Sequence, residues 1–166
     1  IARCFRNEGM DSEHLQDFTM VEGYAAYYNY EDNMNFIEKM IKSIILKLFG
    51  TLEITVGDKK VDLSSKWERV SFRELLIKYA DIDISIYNSK ESLLNIIKEK
   101  KIELESETDI NLLGFGKIVD LLYKKVARPN IINPIFLTEH PIELSPLARA
   151  NDENKEITDR FQLVIN

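Results

Sequence analysis

A change of period near residue 30 divides this chain. In "DFTMVEGYAAYY", which starts at Asp17, Phe18, Met20, Glu22 and Tyr24 fall on every second position with Thr19 and Val21 between them. That alternation belongs to a strand, and it sets Phe18, Met20, Glu22 and Tyr24 on one face. From Tyr30 onward the apolar residues Met34, Ile37, Ile41, Ile44, Ile45 and Leu48 recur instead at three and four residues, with Glu38, Lys39, Lys42 and Lys47 among them. This is the spacing of an amphipathic helix, and Gly50 is placed to end it as a C′ residue.

The rest of the chain extends the pattern. Residues Ile1 to Arg6 predict a short strand that pairs with the one at Asp17 across a polar loop, Asn7 to Gln16. "TLEITV" and "VDL" flank "GDKK" and predict a second, compact hairpin. Ser71 followed by Glu74 is a capping box, opening a helix with Phe72, Leu75, Leu76 and Tyr79 on its apolar side. Another helix is expected over Ser89 to Lys101, with Leu93, Leu94, Ile96 and Ile97 as its stripe. Gly114 and Gly116 precede a third, whose core candidates are Ile118, Leu121, Leu122 and Val126 and which stops at Arg128-Pro129. "NPIFLTEHPIELSPLAR" and "RFQLVIN" are β-like around a polar loop, Ala150 to Thr158. The expected class is α+β, divided into an opening hairpin (1–30), a helical segment with a small hairpin (31–130) and further sheet strands (131–166).

Charge and composition exclude some functions. With 166 residues and a net charge of −6, the chain is one domain or part of one, and it lacks the positive field that captures nucleic acid at long range. Any tRNA or DNA contact must therefore be local. No apolar run is long enough for a membrane span, and "IARCFRNEGM" resembles neither a signal peptide nor a lipidation site, so a cytoplasmic protein is expected. Cys4 is the sole cysteine, which rules out an internal disulfide and predicts a small buried residue. The chain starts without Met inside a strand pattern and ends inside another, which suggests a portion of something longer.

The opening hairpin concentrates side chains that bind charged, planar ligands. Arg6 and Glu8 lie two apart and project to one side; Arg forks onto carboxylate or phosphate, and Glu8 accepts a hydrogen bond from an exocyclic amine. Phe18 suits stacking on a base, His14 in the loop reaches toward outer phosphates, and Glu22 with Tyr24 suits a small cation. Each residue also has an ordinary structural role, as a core Phe, a surface Arg–Glu pair or a solvated His, and spacing alone leaves both readings open.

"FRNEGMDSEHLQDFTMVEGYAAYYNYED" resembles motif 2 of the class II lysyl-tRNA synthetases. It combines an F-R-N-E-G run, a loop His and an F-T-M-x-E-x-Y run, the last of which separates the lysine enzymes from the aspartate and asparagine ones. The resemblance continues in "KVDLSSKWERVSFRELLIKY", "NPIFLTEHPIELSPLARAND" and "EITDRF", and so covers essentially the whole chain. It implies part of the family's antiparallel sheet with helices and an inserted helical segment. It also implies lysine, ATP and tRNA(Lys) as substrates, Mg²⁺ as an accessory ion, and a homodimer. By the same resemblance Arg6 would bridge the ATP α-phosphate and the lysine carboxylate. Glu8 would read the adenine amine, His14 the γ-phosphate end, and Phe18 would stack on adenine. Glu22 and Tyr24 would hold the lysine ε-ammonium.

Three departures from the family pattern carry expectations. Gln162 stands where the family has a metal-supporting Glu, so metal binding at that position is expected to be weakened. Glu13 replaces a basic residue before the loop His, and opposes phosphate there. Motifs 1 and 3 and the N-terminal anticodon-binding domain fall outside this stretch, so the chain alone is expected not to activate lysine. Two alternatives are an elongation factor P lysyltransferase-like paralogue and a non-catalytic synthetase-like binding module. "TLEITVGDKKVDLSSKWERVSF" and the helices after it, similar to the longer insertion of the true synthetases, argue against the paralogue.

Overall fold

The computed structural model describes residues 1–7, 9, 14–106 and 108–166. Glu8 and Glu13 of the opening loop lie outside the described residues. The chain runs through β1 (Ala2–Phe5), β2 (Asp17–Met20), α1 (Tyr30–Phe49), β3 (Glu53–Val56), β4 (Lys59–Asp62), β5 (Glu68–Ser71) and α2 (Phe72–Ala80). It continues through α3 (Lys90–Glu99), α4 (Phe115–Val126), β6 (Ile135–Pro141) and β7 (Ile157–Val164). The α+β class holds, with β1–β2 and β3–β4 as antiparallel pairs and β5–β6–β7 as a third sheet.

Local chemistry explains where the helices begin and end. Asn29 accepts a hydrogen bond from the Asp32 amide at 2.9 Å, and the Asp32 carboxylate accepts one from the Asn29 amide at 3.1 Å, so α1 opens on a reciprocal cap. Gly50 closes it at φ 71°, a left-handed conformation that costs glycine nothing. The Ser71–Glu74 box forms as expected, with the Glu74 carboxylate accepting from the Ser71 amide at 2.8 Å. α4 is capped differently. Its N-cap, Gly114, has no side chain to offer, and Glu143, from the turn after β6, reaches across to accept the Gly116 amide at 2.6 Å. A carboxylate at a helix N-terminus is favoured by the helix dipole as well as by the bond. Gly116 therefore lies inside the helix rather than ahead of it.

The three-stranded sheet is sandwiched between helices, which accounts for the unbroken apolar run Ile135-Phe136-Leu137 in β6. On one face Leu137 and Val164 pack with Leu75 and Leu76 of α2, Leu93 and Ile97 of α3, and Ile118 and Leu122 of α4. On the other face Phe136, Phe161 and Leu163 meet Met34, Ile37 and Ile41 of α1, with Trp67 and Val61. Trp67 and Phe136 lie 5.5 Å apart between ring centroids, and Phe136 meets Phe161 edge-on at 5.4 Å. Ile44 and Leu48 fall at the margin of the α1 stripe and remain exposed. One polar knot fastens α1 to the segment before β5. The Lys42 ammonium pairs with Glu38 at 2.6 Å, donates to the Ser65 carbonyl at 2.7 Å, and sits 5.7 Å from the Trp67 ring centroid.

The structure departs from the sequence-based expectations in three further places. β5 was not anticipated: "ERVS" is four residues long and carries no alternation, and it forms because it pairs in parallel with β6, Glu68 opposite Ile135 through Ser71 opposite Thr138. This pairing joins residues of the segment expected to be helical to the strands of the last segment. β2 ends at Met20, short of Glu22 and Tyr24. Cys4 is half-buried rather than enclosed, because among the described residues β1 and β2 pair only with each other.

Candidate functional site

The first hairpin is held in register by Ala2–Met20, Arg3–Thr19, Cys4–Phe18 and Phe5–Asp17 pairs. One further bond, from the Arg6 amide to the Gln16 carbonyl at 2.9 Å, carries the pairing past the end of β1. The two-residue period places Cys4, Arg6, Gln16, Phe18 and Met20 on one face and Arg3, Phe5, Asp17 and Thr19 on the other. Exposure follows the same division except at Arg6: Cys4, Gln16, Phe18 and Met20 are half-buried, Arg3, Phe5, Asp17 and Thr19 are open to solvent, and Arg6 is exposed as well.

The two faces do different things. On the open face the Arg3 guanidinium pairs with Asp17 across the strands at 2.7 Å, an exposed bridge that contributes little stability. On the other, the Arg6 guanidinium carbon lies 5.3 Å from the Phe18 ring centroid, within cation–π range. The structure thus brings together the cation and the aromatic ring that the sequence singles out. Glu22 and Tyr24 are also neighbours, the Tyr24 hydroxyl donating to the Glu22 carboxylate at 3.3 Å. Both are exposed and follow the end of β2, so a local hydrogen bond rather than the strand's period sets them side by side. His14 is exposed in the loop. Glu8 lies outside the described residues.

A second polar centre, not foreseen from the sequence, lies on the sheet. Between Thr138 and His140 the β6–β7 register slips by one residue, and Glu139 takes φ 51° at the slip. From Thr138 to His140 β6 advances two residues while β7 goes back three, from Phe161 to Thr158, so β7 carries the extra residue, and His140, following the left-handed Glu139, lies opposite Thr158 on the side of the sheet where Arg160, Gln162 and Val164 line a shared cavity. There its ring meets Phe72 edge-on at 4.9 Å and is 3% exposed. Among the described residues neither ring nitrogen has a hydrogen-bond partner. Burial, and then the charge of Arg160, push its pKa down to about 4, while the nearby Gln162 amide pulls weakly in the opposite direction. His140 is therefore neutral at physiological pH. Strict alternation along "IFLTEHP" assigns it to the other face of the sheet, and only the bulge reveals its position.

Gln162 is exposed on this same face. Its neighbours two residues away are Arg160 and Val164, and among the described residues no group of three or more His, Cys, Asp and Glu side chains is placed to hold a metal ion. An amide beside a guanidinium and a neutral imidazole does not fit Mg²⁺, which needs carboxylate or phosphate oxygens. No helix of the described residues is long and apolar enough to cross a membrane.

Comparison with known proteins places these features in a family. Residues 1–166 match the family model for class II tRNA synthetases (D, K and N). The chain is 36% identical over 164 residues to a lysine–tRNA ligase of Dehalococcoides mccartyi, with 99% of this chain and 32% of the relative covered. It is 40% identical over 166 residues to the lysine–tRNA ligase of Variovorax paradoxus (99% and 31% covered) and 37% identical over 165 residues to that of Thermosipho africanus (99% and 31%). The chain spans about a third of the length of the curated relatives it matches. With the Arg6–Phe18 face, the Glu22–Tyr24 pair and a family match from end to end, this chain belongs to the class II tRNA synthetases of the D, K and N group.

Proposed function

We propose that the chain is part of the catalytic domain of a lysine–tRNA ligase and that its first hairpin holds ATP and lysine while lysyl-adenylate forms. The observation that carries this reading is the shared hairpin face on which the Arg6 guanidinium lies 5.3 Å from the Phe18 ring centroid. An adenine ring stacked on Phe18 would set its phosphates within reach of that cation. A lysine carboxylate oxygen attacks the α-phosphorus, a new O–P bond forms, and the bond to the pyrophosphate oxygen breaks. Negative charge grows on the phosphoryl oxygens, and Arg6 offsets it while aligning carboxylate and phosphate. Glu8 takes the adenine amine and His14 the γ-phosphate end.

At the other end of the substrate, Glu22 and Tyr24 take the ε-ammonium. The hydroxyl bond from Tyr24 to Glu22 orients the carboxylate in advance. A substrate with a neutral side chain leaves that carboxylate without its cation and forfeits roughly 1–3 kcal/mol. Transfer of the lysyl group to tRNA(Lys), dimerisation and a cytoplasmic location belong to the same proposal and rest on the family. No step is assigned to Mg²⁺, because the side chains around Gln162 do not suit it. That same donor set favours the second reading, a binding module without catalysis.

Isothermal titration separates the two. A synthetase-derived hairpin binds lysine, ATP and a non-hydrolysable lysyl-adenylate analogue, the analogue most tightly. A repurposed module gives no heat with any of the three, and that outcome would sink the proposal. ATP–pyrophosphate exchange by this chain alone is expected to stay at background.

A further inference from the structure

We propose that the cavity where β6 ends and β7 begins binds a small organic cation, an ammonium group carried on an apolar body. The cavity has a volume of about 310 Å³, and α2, the segment before α3 and the first turn of α4 complete its walls with Arg73, Ile84 and Phe115. None of its lining residues belongs to the first hairpin or to the group around Gln162, so the inference goes beyond the reading given for that hairpin.

Floor and rim differ in chemistry. Ile84, Phe115, Pro141, Ile142 and Ile157 line the cavity and are all buried or half-buried. Glu139, Glu143 and Glu156 also line it, and their side chains reach solvent. A hollow of this size with an apolar floor and a few polar groups at its mouth has the build of a small-molecule site. The apolar body of a ligand covers the floor and leaves its charged end among the carboxylates.

The sign of that charge follows from a separate observation. Among the described residues neither the Glu139 nor the Glu156 carboxylate is in an ion pair or a hydrogen bond; Glu156 bonds only through its backbone. Glu143 accepts the Gly116 amide on one oxygen at 2.6 Å and has the other to spare. Arg73 is the cation of the lining, and it is committed to Asp83 by two bonds of 2.7 Å, with Glu139 a lesser influence on it. Negative charge in the cavity therefore exceeds positive. Apolar walls beside charges of one sign focus their field, which favours an ammonium and repels an anion.

2-Phenylethylamine is the probe, and 2-phenylethanol, of the same shape without charge, is its control. Each is titrated at pH 7 into protein labelled at the isoleucine methyl groups, and Ile84, Ile142 and Ile157 are followed by NMR. The proposal expects saturable shifts at these three residues with the amine, and binding of the alcohol at least about fivefold weaker. Glu139→Gln combined with Glu156→Gln, both exposed and outside every helix cap, should weaken the amine at least about fivefold, as two contacts on a solvated rim imply. Glu143 is left intact because it caps α4. Glu22→Gln should leave the three shifts unchanged. No shift at these residues, equal binding of amine and alcohol, or an affinity indifferent to the double substitution overturns the cavity assignment. A response abolished by Glu22→Gln also overturns it, and leaves the hairpin reading standing.

Discussion

Lowering the pH should destabilise this protein through His140 before the acid groups contribute. Its ring is enclosed, and burial with the Arg160 charge lowers its pKa to about 4, against about 6.5 in an unfolded chain. The folded state therefore binds the proton more weakly than the unfolded state does. Stability from this residue is complete above pH 6.5, declines as the pH falls toward 4, and changes no further below that. At about 1.4 kcal/mol for each pH unit between the two values, the loss reaches about 3 kcal/mol. The assay is urea unfolding at intervals from pH 7.5 to 4, on the native chain and on His140→Leu, which fills similar space and cannot titrate. The native chain should lose about 3 kcal/mol more than the variant, nearly all of it between pH 6.5 and 4. Asp83 does not confound this window. Its bidentate bonds from Arg73 hold its carboxyl well below the usual range, so its contribution is lost only at lower pH. Parallel pH profiles for the two proteins would refute the account of His140 as a neutral, enclosed ring.

Gly116→Ala should destabilise even though alanine is the better helix former by about 1 kcal/mol. A Cβ at this position would lie 2.8 Å from the Glu143 Cβ, and relieving that overlap moves Glu143 off the Gly116 amide. Strain and the lost cap together should outweigh propensity and leave a net loss of roughly 1–3 kcal/mol in chemical denaturation. Glu38→Gln removes the charge partner of Lys42 in a half-buried setting and should cost roughly 1–2 kcal/mol. Its thermal unfolding should shift downward, with Trp67 fluorescence altered because Lys42 lies over that ring.

How much of this could be read from the sequence depends on whether the signal was local. Helix ends were legible because caps are short-range: Gly50, the Ser71–Glu74 pair and the stop near Arg128-Pro129 each act within one turn. The small hairpin was legible too, with Gly57 at φ 64° in its turn. β5 was not, because its four residues become a strand only against β6, more than sixty positions away. Nor was the trans cap from Glu143 to α4, for the same reason.

The candidate site divides in the same way. Arg6 and Phe18 share a face because a continuous antiparallel pair enforces it. Extending that alternation to Glu22 and Tyr24 overran the end of β2, and their proximity comes from a side-chain hydrogen bond instead. His140 could not be found by counting, since Glu139, at φ 51° opposite an extra residue of β7, breaks the alternation just before it.

Discrimination between two ligands that differ only at the far amine tests the claim about the hairpin most directly. Binding of non-hydrolysable lysyl- and norleucyl-adenylate analogues is measured by calorimetry on the native chain and on Glu22→Gln. A carboxylate reserved for an ammonium predicts that the native chain prefers the lysyl analogue at least about tenfold and that the substitution removes most of the preference. Equal affinities in the native chain, or a preference that survives the loss of Glu22, would contradict it.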